Sequence, residues 1–357
     1  MSWIRTDVVR PQLPSGYGPA ALQAAYNLPS GTNGAGKTIA IVDAFDDPNA
    51  EADLAVYRTT FGLPACTTAN GCFLKVNQNG VAGNYPAPNA GWAAEESLDV
   101  DMASAICPNC NIVLVEATNN SGNLYIAEKT AAGLCAASVI SNSWSGGEYS
   151  GETFDDVTYF DHPGIPMTFA SGDGDYPGGY PAAGAFVTAV GGTRLINAGQ
   201  PTQSETVWNT KLGEGTGSLC SLYESQPAWQ TLLGFSYTSI CSMRIDNDVA
   251  AVGDPGTGVA VYDTYSGGGW AVYGGTSVAT PIIAGVYALA PNTGSINDGS
   301  YSYSHTSSFH DVINGSNGPC TPTGIYIIDF TGTFICDAGA GFDGPTGNGT
   351  PNGIGGF

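Results

Sequence analysis

Three short segments carry residue types that could act together on a carbonyl group. The first, Gly274-Gly275-Thr276-Ser277-Val278-Ala279-Thr280-Pro281, runs into the apolar stretch Ile282 to Leu289. Paired glycines allow a tight turn and a close approach by another chain. A serine entering a buried helix stands at the positive end of its dipole, where developing negative charge is stabilised. Ser277 is therefore read as a nucleophile, with a simple helix cap as the alternative. A serine nucleophile needs a base. His162, His305 and His310 all lie in turn-like or polar loop contexts and read as surface or structural residues. Glu95-Glu96-Ser97-Leu98-Asp99 offers another base, because Glu95 and Asp99 fall on one face of a helix expected over Ala93 to Ile106. Two such carboxylates repel, share a proton and titrate in two steps, which lifts one of them towards the range of a general base. Acids that merely complement a helix dipole are the alternative there. In the third segment, Ser171-Gly172-Asp173-Gly174, a protonated Asp173 would donate to an oxyanion, whereas the plain reading is an Asp-Gly turn. Asp43 reads only as a strand-end acid.

The elements that must position these groups follow from hydrophobic periodicity. Thr38 to Asp43, Ile112 to Glu116, Val139 to Ser143 and Ile165 to Ala170 read as buried strands. Between them Ala50 to Phe61, Ala93 to Ile106 and Leu124 to Leu134 read as helices. Val259 to Tyr262 is a later strand and Thr280 to Leu289 a last apolar helix. Strands alternating with helices of this length predict an α/β fold, a mostly parallel sheet with helices on both faces. No repeat or linker breaks the chain, so residues 1–357 form one domain. In such sheets sites form outside the C-terminal strand ends, where Asp173 falls.

Composition narrows the partners. The chain has 31 Asp+Glu against 9 Lys+Arg, a formal net charge of −22, and only 11% charged residues. So few cations cannot neutralise a phosphate backbone or an anionic membrane surface, which excludes nucleic acid and membrane as partners. The longest apolar run, Pro281 to Ala290, is too short to span a bilayer. The nine cysteines sort by spacing into Cys66/Cys72, Cys107/Cys110, Cys220/Cys241 and Cys320/Cys336, with Cys135 left as a buried free thiol. A zinc site built from Cys66, Cys72, Cys107 and Cys110, and a redox role for Cys107 and Cys110, are the rival readings. Disulfides imply an exported protein. Met1 to Arg5 lacks a signal-peptide core, so the sequence reads as a processed form.

Glu-x-x-Leu-Asp on a helix, Ser-Gly-Asp-Gly after a strand and Gly-Gly-Thr-Ser-x-x-x-Pro opening a helix, in that order, resemble the sedolisin family of serine-carboxyl peptidases. The resemblance runs from about Tyr17 to Pro351 and takes in Val190-Gly191-Gly192-Thr193 and Ser204-Glu205-Thr206-Val207-Trp208. It implies a three-layer subtilisin-like fold, with Ser277 as nucleophile, Glu95 as general base, Asp99 as its partner and Asp173 as oxyanion donor. It further implies a secreted endopeptidase that cuts polypeptides at acid pH, made with a propeptide and acting as a monomer. The region of about 305–351 is similar to the family's calcium site, which would place the carboxylates of Asp311 and Asp343 and the carbonyls of Val312, Gly339 and Gly341 around one structural Ca²⁺. Ser143, Trp144, Ser145 and Gly146 resemble the substrate-binding edge, with Ser145 standing where a glycine is common and Trp144 lining a pocket or filling core. The insertion Pro319 to Cys336 departs from the pattern. The rival functions are a degenerate peptide-binding relative that does not cut, and a calcium-stabilised secreted binding module.

Overall fold

The computed structural model describes residues 13–134 and 137–357; Cys135, read as a free thiol, lies outside them. The centre is a sheet whose main path is Val249–Val252, β6 (Thr188–Ile196), β5 (Met167–Ala170), β4 (Val139–Asn142), β1 (Thr38–Ala44), β3 (Asn111–Ala117) and β2 (Phe73–Asn77). Every neighbouring pair on that path is parallel. β7 (Ser204–Val207) pairs antiparallel with the far end of β6.

Strand alternation divides the core into two layers. Ile39 and Ile41 of β1 point into one cluster with Ile112 and Leu114 of β3, while Ala40 and Val42 point into the other with Val113 and Val115. A period of two sends successive side chains to opposite faces, so a sheet covered on both faces needs continuous apolar strands. On the first face lie α1 (Pro19–Ala25), α2 (Ala50–Phe61), α3 (Ala90–Ile106) and the Thr276–Leu289 helix. On the second lies α4 (Gly122–Leu134). This is the expected mostly parallel sheet between helical layers.

Boundaries shift where capping is not local. α3 starts at Ala90 because Asn89 Oδ1 accepts from the N–H groups of Gly91 (3.0 Å) and Trp92 (3.2 Å). β5 starts at Met167 rather than Ile165 because Pro166 cannot donate to a ladder. The four expected cysteine pairs are disulfides, Cys66–Cys72, Cys107–Cys110, Cys220–Cys241 and Cys320–Cys336, which leaves no thiolates for a zinc site. No helix among the described residues is long and apolar enough to cross a membrane.

Candidate active site

The Thr276–Leu289 helix lies against α3 and packs on β4, β5, β6 and the Val249–Val252 strand. Ser277 is its second residue and not its cap; the N-cap is Gly275. Gly275 is required there. Its φ is +122°, and a Cβ would stand 2.9 Å from Asp173 Oδ2. With no side chain of its own at the cap, the helix borrows Asp173, whose Oδ1 accepts from the Thr276 N–H (2.7 Å) and hydroxyl (2.8 Å). Asp173 is therefore more than an Asp-Gly turn. It is an exposed carboxyl at the sheet's C-terminal edge, tied to the helix that carries Ser277, with Oδ2 turned towards Gly275.

Glu95 lies beyond the first turn of α3, which contains no acid, so the dipole explanation of Glu95 and Asp99 does not hold. Burial pushes the Glu95 carboxyl up to about 7, and the Asp173 charge pushes the same way. The Ser277 side chain acts on it in the opposite sense, as a hydrogen-bonding neighbour that favours the ionised form. One turn on, Asp99 is fully buried, and desolvation followed by the charges of Asp43 and Glu95 raises its pKa well above the ordinary carboxylate range. Asp43 belongs to this group. Both its oxygens are buried without a hydrogen-bond partner among the described residues, and Glu95 and Glu116 add to its burial in holding its proton. Position at a strand end was the only sequence signal for it.

The expected substrate edge divides. The Ser143 hydroxyl is turned inward, 2.8 Å from Asp99 Oδ1 and 3.2 Å from the Ser277 carbonyl, so it belongs with the acids. Gly146 exchanges both backbone hydrogen bonds with Tyr180 (2.8 and 2.9 Å) and has none left for a peptide. Its neighbours Ser145 and Gly147 are exposed, and their backbone groups make no backbone hydrogen bond among the described residues. Trp144 serves both expected roles: its Nε1 donates to the Val42 carbonyl (2.9 Å) and its ring meets Phe169 edge-on, yet it also walls a cavity of about 530 Å³ with Phe45, Trp92, Glu95 and Ser143.

None of the histidines joins the site. His162 Nε2 bonds the Tyr159 carbonyl, His305 stacks on Tyr301, and burial lowers the pKa of His310, which has no charged partner among the groups that shift it. Asp311 and Asp343 meet at one loop far along the chain. Gly341 N–H donates to Asp311 Oδ2 (2.9 Å) and Gly339 N–H to Asp343 Oδ2 (3.1 Å). No three His, Cys, Asp or Glu side chains gather there or elsewhere among the described residues. The carbonyls of Val312, Gly339 and Gly341 accept no backbone hydrogen bond among the described residues, and Val312 is buried. Unpartnered carbonyls beside two carboxylates fit a hard cation.

A parallel sheet between helical layers, with a serine at a helix start facing buried carboxyls across the C-terminal strand ends, defines a subtilisin-like α/β protein. Residues 81–299 match the subtilase family. The chain belongs to the sedolisin branch of that family. It is 30% identical to kumamolisin from Bacillus sp. (strain MN-32), across 96% of this chain and 63% of that one. It is 26% identical to sedolisin from Pseudomonas sp. (strain 101), across 94% and 60%. It thus spans about three-fifths of the length of both curated relatives. Among solved structures it resembles Pseudomonas sedolisin, a serine-carboxyl proteinase complexed with two molecules of pseudo-iodotyrostatin, with a TM-score of 0.77 at 26% identity over 96% of both chains. Sphericase shares the fold alone, at a TM-score of 0.56 and 17% identity over 95% of this chain and 98% of that one.

Proposed function

We propose that the protein is an acid-acting serine-carboxyl endopeptidase. The observation that carries this reading is the convergence of Ser277, the buried Glu95 carboxyl and Asp173 at one helix start. Ser277 Oγ attacks the scissile carbonyl carbon while the ionised form of Glu95, which the Ser277 side chain favours, takes its proton. The tetrahedral intermediate collapses as the C–N bond breaks, Glu95 returns the proton to the leaving amine, and an acyl-Ser277 ester remains. Water then adds to that ester, giving its proton to Glu95, and the acid product leaves as Ser277 is reprotonated. Asp99 shares the pair's charge and orients Glu95.

Asp173 supplies the oxyanion donor. Its Oδ1 is occupied by Thr276, so a proton on Oδ2 is the one free to meet the oxyanion. An ionised Asp173 would repel that charge instead of stabilising it. Exposed backbone at Ser145 and Gly147 would pair with an extended polypeptide, and Phe45, Trp92 and Trp144 would take an apolar side chain. Asp311 and Asp343, with the carbonyls of Val312, Gly339 and Gly341, would hold one Ca²⁺ that braces the loop between them. The four disulfides support a secreted protein.

Digestion of denatured protein at pH 3 to 5, with and without a peptide aldehyde able to trap Ser277, tests the reading. Ser277→Ala and Glu95→Ala are each expected to lose turnover while unfolding stays cooperative at a temperature close to the parent's. Full activity in Ser277→Ala would refute the mechanism.

A further inference from the structure

Each carbonyl in an α-helix normally accepts the N–H four residues further on, and for Ser277 that residue is Pro281, which has no N–H. The nucleophile's own carbonyl thus loses its usual partner at the first turn. The Ser143 hydroxyl stands in for it, 3.2 Å away and delivered from the end of β4. The same oxygen lies 2.8 Å from Asp99 Oδ1. Ser143 is 6% exposed, so bulk water does not readily substitute for either contact.

A hydroxyl owns one proton and can donate only once. With Asp99 ionised, both neighbours of Ser143 are acceptors. The proton then turns to the carboxylate, the stronger of the two, and the Ser277 carbonyl is left without it. With a proton on Asp99 Oδ1 the arrangement closes. Asp99 donates to Ser143 Oγ, and Ser143 donates to the Ser277 carbonyl.

We propose that Ser143 is a positioning residue that converts the proton on Asp99 into support for the backbone of the nucleophile. The inference rests on Ser277 being the nucleophile. Its surroundings favour the closed arrangement. The groups that act on Asp99 are Asp43 from β1 and Glu95 from its own helix, both acids, together with Ser143 itself; no lysine or arginine is among them. Desolvation, the largest influence, also disfavours the ionised form. The Ser277 carbonyl is held while Asp99 keeps its proton, and it is released as Asp99 loses it. Proton occupancy in the acid pair is in this way felt at the residue that attacks.

The test is the pH dependence of one ratio. Ser143→Ala should lower kcat about five- to tenfold at the acid plateau, the loss that follows from one hydrogen bond, with KM changed less than about twofold. The parent-to-variant ratio should then shrink towards one as pH rises and Asp99 ionises, because the parent loses the same contact. Ser143→Thr, which keeps the hydroxyl, should restore the plateau. A packing role alone would give a ratio independent of pH, and that result overturns the proposal. So does a Ser143→Thr variant as impaired as Ser143→Ala. Should Ser143→Ala fail to fold, Ser143→Cys provides a weaker donor of similar shape and should show a smaller loss with the same pH trend; a flat ratio there also overturns it. Ser277→Ala, assayed alongside, separates the two levels: residual turnover in that variant removes the nucleophile itself, whereas a dead Ser277→Ala with a flat Ser143 ratio removes only the inference.

Discussion

Glu128 lets the acid character of the fold be measured apart from its chemistry. It lies on α4, fully buried; its Oε1 accepts from Asn142 Nδ2 at 3.3 Å and its Oε2 has no partner among the described residues. Burial lifts its pKa from 4.5 to about 8, opposed only by the Asn142 contact, with no charged neighbour involved. In the unfolded chain the carboxyl loses its proton near 4.5; in the fold it keeps it to about 8. Because the folded value is the higher one, the contribution to stability is fully present below pH 4.5 and is lost as pH rises through 8. At about 1.4 kcal/mol per pH unit the whole span is worth about 5 kcal/mol, which relaxation and water entry around the ionised group reduce to about 2–5 kcal/mol. Glu128→Gln keeps the shape and removes the titration. In a Ser277→Ala background, to prevent self-digestion, thermal unfolding by circular dichroism should give melting temperatures within about 2 °C of each other at pH 4. By pH 8 the Gln variant should melt about 3–7 °C above its parent, given the unfolding entropy of a chain this long. Two curves that stay parallel from pH 4 to 8, or a Gln variant that is the less stable at pH 8, would refute the reasoning.

Gly275→Ala would place a Cβ 2.9 Å from Asp173 Oδ2 at a φ of +122°. Activity on a peptide substrate should fall by about 100-fold or more, as for loss of an oxyanion donor, and the melting temperature should drop by a few degrees; near-parental kcat/KM would refute Oδ2 as the donor. Removing calcium with a chelator at pH 6 should lower the melting temperature by about 3–4 °C, the linkage expected when free ion was about 100 times its Kd. Asp311→Ala should abolish that difference, and an unchanged melting temperature on chelation in the parent would refute the site.

Much of the frame was legible because it is local. The apolar β-branched run at Thr38 to Ala44 and the period of Ala50 to Phe61 each contain their own signal. The Thr276–Leu289 helix was not read to its true start. The apolar run bounds it at Thr280, although Ser277 is read as entering it. The side chain that caps it belongs to Asp173, about a hundred residues away in the chain, and no window of sequence contains that contact. Ser143 was missed as part of the acid group for the same reason. Its neighbours in sequence describe a strand end, and its chemistry comes from Asp99 on α3 and a carbonyl that a proline left open. Asp43 stood in plain view as a strand-end acid, but only packing against α3 brings it beside Asp99 and Glu95.

The same distinction alters what the formal net charge of −22 means. Counting carboxyls in the sequence treats each as an exposed group that ionises near pH 4. Burial separates them. Glu116, Glu128 and Glu224 are raised to about 8 and Glu152 to about 9, each chiefly by desolvation, and of these only Glu116 acts on the acids beside Ser277, through Asp43. Between pH 4.5 and 8 the folded chain therefore binds protons that the unfolded chain has released, and stability falls as pH rises across that interval. The charge the fold carries at neutral pH is smaller in magnitude than the count, and the missing part is a set of neutral acids in the interior. A preference for acid thus enters through carboxyls in the core, apart from the acid dependence proposed for turnover. The two are separable: Glu128→Gln should extend stability towards neutral pH while leaving the pH dependence of turnover unchanged.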